Sequence, residues 1–409
     1  MPSWTSMRRP NDDAGASVLH HELPRVAAAD PVEAGERLAA FGVRLFEAVA
    51  PAPDANFALS PYSIYSALAM TAAGARGAAA TEFDAVLGPD AAQALTAFDD
   101  VLADIVRRAA DVQERWGADP LIIRAANTLY ADKRLPVRDE FLDALGAGFG
   151  AGLRLVDFVS QPEAAREEIN RRVDERTNHL IPELLAEGQI SKATRLALVN
   201  ALYLKVSWAD PFVRESRRTS FIGHSGAAKK IKLMTTTKSL SCVDSDLWTA
   251  CAIPYSDSRL AMTVVLPHGD SLHAAIDELP QILQQVGDAR AEKVTLRMPV
   301  FDIDARAEVS DALRHVGLAA ALSEQADYSG MSEVPEGLVV SDVQHQAVVK
   351  VDEEGTEAAA ATAVAMRAGA LPDMSVPREL LIDRPFVFAI HDTVTGAPLF
   401  IGQVSEPRG

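Results

Sequence analysis

The sequence predicts an α+β fold built as one large domain. Three observations predict it: helical periodicities fill the first half, short strand-like runs fill the second, and no repeat or low-complexity linker parts the two. The strict helix–strand alternation of a doubly wound sheet is missing. At 409 residues, with 48% hydrophobic and 23% charged side chains, the chain has ordinary globular usage and length enough for a sizeable core.

Residues 1–30 mix Pro, Asp, His and Ala without period and are expected to form a loose leader ahead of a single domain over 31–409. From Glu33 the pattern turns helical, with Leu38, Phe41, Leu45, Phe46 and Val49 mostly three and four apart. Residues 56–87 hold a second helix, for which Ser60 and Pro61 supply a cap and a first-turn proline and Ile64, Leu68 and Met70 the apolar side. Residues 90–113 read as helix, 122–130 as a short strand, and 162–187 as largely helical on Ile169, Val173, Ile181 and Leu184. Beyond 190 the segments 196–204, 231–234, 260–266, 294–298, 348–351 and 386–390 are short and rich in Val, Leu and Phe. Most are bounded by Gly, Pro, Asp or Ser, as strands are.

Fifty-seven acids against thirty-nine Lys and Arg give a net charge of −18. That balance argues against a nucleic-acid or anionic-membrane partner, because phosphate contacts need clustered bases. No run of about eighteen apolar residues is present to span a bilayer. No signal peptide is visible, so a cytoplasmic setting is expected and an extracellular one stays open. Cys242 and Cys251 exclude a disulfide-rich scaffold and a four-cysteine zinc site. They could face each other across a hairpin, but two reduced, buried thiols are expected.

Enzyme chemistry finds little support. Gly223-His224-Ser225-Gly226-Ala227 approaches the nucleophile-elbow pattern, yet Ala227 replaces the closing glycine and the flanks do not read strand–turn–helix. A plain loop is expected there. His20-His21-Glu22 lacks a second ligand at helical spacing, so no metal is expected. The charged run over 166–176 interleaves signs as a solvated helix face does. No glycine loop for phosphate is present.

The informative segment is 352–372, DEEGTEAAAATAVAMRAGALP. Alanine is the best helix former, which supports a helix. Against it, a strand-like run leads straight in, Gly355 interrupts the first turn, and Gly369 and Pro372 close the segment. Thr356, Ala358, Ala360, Thr362, Val364 and Met366 also form one uncharged set at a period of two, with Glu357 and Arg367 in the other. A strand with one buried face needs that period. Pattern alone leaves helix and strand-capable loop both open.

Several blocks in sequence order decide it. They are NFALSPYSIYSALAM with GARG (56–70, 74–77), AANTLY (125–130), the spaced series from Asp157 to Leu184, LVNALYLKVSWADPF (198–212), VSDVQHQAVVKVDEEGTEAAAATAV (340–364), and LLIDRPFVFAI followed by PLFIGQVSEP. Over roughly 36–407 the chain resembles a serpin. The resemblance implies three β-sheets, eight or nine helices and an exposed reactive-centre loop over about 353–379.

The resemblance also implies a function: suicide inhibition of a serine-type endopeptidase. The protease attacks the loop, and the cleaved loop then inserts into the central sheet with the acyl-enzyme attached. None of this chain's residues is catalytic, and no cofactor is implied. Some serpins are instead carriers, chaperones or storage proteins, which typically lose a small-residue hinge. Here Glu353, Glu354, Gly355, Thr356, Glu357, Ala358, Ala359, Ala360 and Ala361 keep it. Ser60, Ser63, Asn200 and His345 match the family's shutter, a buried hydrogen-bond cluster beneath the parting strands, and Trp208 its breach. Two positions depart from the family. Val300 stands where many relatives carry a lysine for the hinge glutamate, which would leave Glu353 without that partner, and Val206 replaces a usual glycine.

Counting forward from Glu353 puts the scissile bond at Gly369–Ala370, whereas counting back from Phe386 puts it at Met374–Ser375. Trapping depends on the length of the inserted arm, because slack would leave the protease undistorted, so the hinge count is preferred, with Arg367–Ala368 as the runner-up and Met374–Ser375 third. The expected target is a subtilisin-like or elastase-like serine protease, or a trypsin-like one if Arg367 is used. A monomer is expected. The acidic residues of 90–113 offer no basic face for a heparin-like activator.

Overall fold

The computed structural model describes residues 17–116, 121–125, 127–269, 272–333, 338, 340, 343–356 and 376–407. A short strand, β1 (Ser17–Leu19), precedes helix α1 (Pro31–Val49). The Asp30 side chain caps α1 by accepting from the Val32 and Glu33 N–H groups, and Pro31 occupies the first turn. β2 (Phe57–Leu59) leads into α2 (Pro61–Ala72), where the Ser60 hydroxyl accepts from Ser63 N–H. α3 (Gly77–Leu87) and α4 (Ala91–Trp116) follow. The one helix expected over 56–87 is thus a strand and two helices, because Arg76 is extended and bridges Asp327.

Next come β3 (Ile122–Ala125), β4 (Thr128–Asp132), α5 (Asp139–Phe149), β5 (Leu153–Val156) and α6 (Pro162–Arg176). The strand expected at 122–130 is therefore two. α6 stops eleven residues short of the expected end, since Asn178 and His179 turn the chain at positive φ. Its charged run is also less solvated than expected: Arg166, Asn170 and Arg172 are buried, and Arg166 and Asn170 both donate to the Leu185 carbonyl.

The second half runs β6 (Leu196–Ser207), β7 (Val213–Ile222), β8 (Ala228–Asp244), β9 (Trp248–Pro254) and β10 (Leu260–Pro267). Then come α7 (Leu272–Asp277), α8 (Leu279–Asp288), β11 (Glu292–Pro299), β12 (Phe301–Glu308) and α9 (Ser310–Leu313). A π-helical turn (Arg314–Leu318) continues α9, and β13 (Val343–Val351), β14 (Gly355–Thr356), β15 (Arg378–Leu381), β16 (Phe386–Asp392) and β17 (Pro398–Val404) complete the described elements.

The central sheet has the order β1-β5-β4-β6-β14-β13-β12, with β3 also on β6. β8 serves two further sheets: β15-β11-β8-β7 along one stretch, and β8-β9-β10-β16-β17-β2 along the other. β10, β16 and β17 are buried along their whole length, which is why they read as unbroken apolar runs. Residues 223–227 form the β7–β8 hairpin turn, Gly223 N–H donating to Ala227 O, so Ser225 sits between strands and not at a strand–helix elbow.

Cys242 lies directly opposite Cys251 in the β8–β9 ladder, Cα atoms 4.1 Å apart, and the two are joined as a disulfide. The expectation of two reduced thiols is corrected by register. Sequence spacing did not reveal that the two side chains share a cross-strand position.

Part of the leader is also not loose. β1 pairs antiparallel with β5, adding an edge strand to the central sheet. Val26 N–H donates to Ala147 O, and Arg25 donates to Thr96 Oγ1, Asp99 Oδ2 and Gly148 O at 3.0–3.2 Å. The approach depends on glycine: a Cβ on Gly152 would lie 2.6 Å from Leu19 O. Gly152→Val is expected to lift residues 17–30 off the sheet edge. Limited proteolysis would then cut within 17–30 at least tenfold faster than in the parent protein, with the core fragment otherwise intact.

Candidate functional site

The site lies where β6 and β13 meet. Along their first stretch they pair directly and in parallel, from Val343 opposite Leu198 to Ala347 opposite Leu202. At the far end β14 lies between them, antiparallel to both, with Thr356 opposite Val206 on one side and Val351 on the other. In between, Tyr203–Lys205 and Val348–Lys350 form no β6–β13 ladder pair among the described residues. The sheet is closed at one end and wedged at the other.

A buried polar cluster holds the closed end. His345 and Asn200 are register partners, and their side chains bond at 3.0 Å from Nδ1 to Oδ1. The Ser60 backbone N–H donates to His345 Nε2 at 3.0 Å. Nε2 is therefore the acceptor, so the proton sits on Nδ1 and is donated to Asn200. Asn200 Nδ2 donates to Ser63 O, and the Ser63 hydroxyl donates to Asn127 Oδ1 at 2.9 Å. Ser60, Ser63, Asn200 and His345 are each at most 1% exposed. Burial pushes the His345 imidazole down to about 3, so it is neutral at ordinary pH.

The wedge is built from 352–356. Asp352 caps a tight turn, its Oδ1 accepting from Glu354 and Gly355 N–H at 2.9 and 3.2 Å. Burial raises its carboxyl above the usual range. Trp208 donates twice, from its backbone to Glu354 O at 2.8 Å and from its indole to Asp352 O at 2.9 Å. Phe212 N–H donates to Glu353 O at 2.8 Å. A Cβ on Gly355 would lie 2.2 Å from Val206 O, so only glycine lets the chain pass this close to β6. Thr356 is buried and bonds the equally buried Tyr255 hydroxyl at 2.6 Å, and Tyr255 stacks on Trp208 with ring centroids 4.5 Å apart.

The structure thus brings Ser60, Ser63, Asn200 and His345 into one cluster, and places Glu353, Glu354, Gly355 and Thr356 at the wedge, where Trp208 bonds the Glu354 carbonyl. Glu357, Ala358, Ala359, Ala360, Ala361, Arg367, Ala368, Gly369, Ala370, Met374 and Ser375 lie outside the described residues. With Val300 in place of lysine, Glu353 is not left without an ionic partner: Arg214 of β7 approaches it at 3.4 Å. Sequence reading missed Asn127, Tyr255 and Arg214, none of which carries a local signal. Asp352 did carry one, an aspartate three residues before the glycine of a tight turn.

No group of three or more metal-ligating side chains is found among the described residues. The arrangement can hold one strand end between two strands and admit more of it as the ladder below yields.

The chain matches the Serpin (serine protease inhibitor) family model over residues 36–407. It is 33% identical over 370 residues to the leukocyte elastase inhibitor of Bos taurus, covering 87% of this chain and 94% of that one. Its identity to Serpin-Z2A of Oryza sativa subsp. japonica is 32% over 420 residues, covering 90% and 96%. Among solved structures it is similar to the thermophilic serpin Tengpin in the native state, with a TM-score of 0.78 at 23% identity over 96% of this chain and all of that one. Human thyroxine-binding globulin is similar with a TM-score of 0.76 at 25% identity, over 93% of this chain and all of the other.

The His345 shift gives a pH test. Above about pH 6.5 the imidazole is neutral whether the sheet is folded or unfolded, and its bonds contribute fully. As pH falls from there toward 3, the unfolded chain takes up a proton that the folded chain refuses, and stability is lost at up to about 1.4 kcal/mol per pH unit. Buried His391, pushed down to about 4, acts in the same sense. Denaturant unfolding from pH 7 to 4 should show this loss, and His345→Gln should reduce its slope by up to one proton. An unchanged slope would mean that His345 is not buried in this cluster.

Proposed function

The chain belongs to the serpin family, and on that premise we propose that it is a suicide inhibitor of a serine-type endopeptidase. The observation that carries this reading is the wedge: the first residues of the reactive loop already form a strand between β6 and β13, above a stretch where those strands do not pair. A strand extended from β14 along that stretch would lie between β6 and β13 and could pair with both.

The steps follow from the register. The protease hydroxyl attacks the scissile carbonyl, the peptide C–N bond breaks, and the new amino terminus departs on the downstream segment. The upstream arm stays esterified to the protease. Extending the pairing of Thr356 with Val206 and Val351 brings Ala358 opposite Leu204, Ala360 opposite Leu202 and Met366 opposite Leu196, the end of β6. The same register brings Thr362 between Asn200 and His345. Its hydroxyl can donate and accept, so both groups can exchange their mutual bond for one to the arm without being left unpartnered. The set that enters the core, Thr356 to Met366 at every second residue, carries no charge.

Cleavage after Gly369 gives a fourteen-residue arm from Thr356, about 45 Å when extended, against about 40 Å for the twelve residues of β6. An arm ending at Met374 would trail about 17 Å more, slack that would leave the protease undistorted. This disfavours Met374–Ser375; an arm ending at Arg367 has twelve residues and also spans β6, so Gly369–Ala370 is preferred over Arg367–Ala368 on the count from Glu353. It makes the target a subtilisin-like or elastase-like protease, trapped by the monomer without a cofactor.

The test mixes the protein with subtilisin, elastase and trypsin and reads the denaturant-resistant complex and the N-terminus of the released fragment. A complex with a fragment starting at Ala370 is expected. Cleavage by all three without a complex would overturn the reading for these enzymes and favour a carrier. Thr356→Arg should convert trapping to turnover: burying its charge costs several kcal/mol and strands the Tyr255 hydroxyl. More than tenfold more inhibitor should then be cleaved per complex formed, at an unchanged rate of loop attack.

A further inference from the structure

The β7–β8 ribbon is basic in an acidic protein. Residues 213–238 carry seven Lys or Arg and one acid, whereas the whole chain has thirty-nine against fifty-seven. Arg214 and Lys238 pair with Glu353 and Asp210. Arg217, Arg218, Lys229, Lys230 and Lys232 make no ion pair among the described residues, although Arg218 donates to the Lys230 carbonyl. The ladder sorts them. Phe221, Ile231 and Leu233 are buried on one side of the ribbon, which turns Lys230 and Lys232 to the other. Arg218 lies directly opposite Lys232. Like charges opposite each other destabilise a strand pair, so the fold gains nothing from this arrangement. Exposed Val213 and Ile222 bracket the bases at the two ends of β7.

The position of the ribbon suggests its use. The described residues on the two sides of the loop are Thr356, three residues after the Glu353 that meets Phe212 and Arg214 at the start of β7, and Val376, just before β15. β15 and β7 are the two edges of one four-stranded sheet, and the rows Arg378–Val294–Lys238 and Val213–Thr235 lie at the same end of it. Arg218 and Lys232 sit only three residues further along, about 10 Å. A protease held on the loop is therefore within reach of the bases.

We propose that this ribbon is a docking surface for an acidic face of the target protease, and that it contributes to target choice beside the scissile bond. The proposal rests on the inhibitor reading. Beyond about 8 Å the field of the −18 chain is screened at physiological salt, so the sign of the local surface governs the final approach.

The test uses one protease in two charge states: subtilisin, and subtilisin with its surface lysines succinylated, each matched by active-site titration. If subtilisin does not attack the loop, elastase or trypsin takes its place. The second-order rate of loop attack is measured for the parent protein and for Arg217→Glu/Arg218→Glu/Lys230→Glu/Lys232→Glu. The matching glutamine variant is used if the glutamate one does not fold. The reversal should slow attack by the succinylated enzyme at least tenfold and by the unmodified enzyme less than twofold, and 0.5 M salt should erase the gap. Equal slowing of both enzymes, or of neither, would overturn the proposal. So would acceleration of both by added heparin with no difference between them, which would assign the ribbon to a polyanion. Failure of the inhibitor reading is seen separately, as loop cleavage without a denaturant-resistant complex, and the cleavage rate then reads docking in the same way.

Discussion

One ladder is left unfinished, and the rest of the molecule is arranged around it. β6 and β13 sit in the middle of the central sheet, where strands are normally bonded along their full length. Here they pair with each other over five residue pairs, are wedged apart by β14, and form no mutual ladder pair between among the described residues. A strand added along this stretch would extend the ladder on both sides, so the proposed mechanism has somewhere to gain hydrogen bonds. In the proposed mechanism a complete strand fills the seam, supplied by the uncharged alternate residues that follow Thr356 in sequence.

The flanking features fit that constraint. The closed end is held by side chains whose hydrogen bonds run across the two strands, so it is stable yet open to exchange by an incoming hydroxyl. The wedged end is held by backbone bonds from Trp208 and Phe212, by the Asp352 turn and by the Thr356–Tyr255 bond, which fix where the loop begins without filling the seam. The loss of a lysine at Val300 is offset from the other side by Arg214. Arg214 also belongs to the basic ribbon, so the element that steadies the hinge adjoins the surface that a docked protease would meet.

Much of this was legible in the sequence, for identifiable reasons. Strands buried on both faces read as plain apolar runs, α1 showed its period, and α2 carried a cap and a proline as well. The period of two over 356–366 left helix and strand-capable loop both open, and the hinge and shutter residues were found by resemblance. What stayed hidden depends on register or on distant neighbours. The Cys242–Cys251 pairing needed the β8–β9 register, and Arg214 becomes the partner of Glu353 only once β7 is laid beside the hinge. α5 was obscured by the glycines at 146, 148 and 150, two of them inside the helix, and β1 is too short to show a period.

The most direct test of the account is amide hydrogen exchange at Leu204–Lys205 and Val348–Lys350, in the intact protein and after the loop has been cut. The account predicts ready exchange of the seam-facing amides before cleavage and slowing by orders of magnitude afterwards, as residues 357–366 bond to both edges. Equal exchange before and after cleavage would mean that no strand enters, and the inhibitory mechanism drawn from this seam would be wrong.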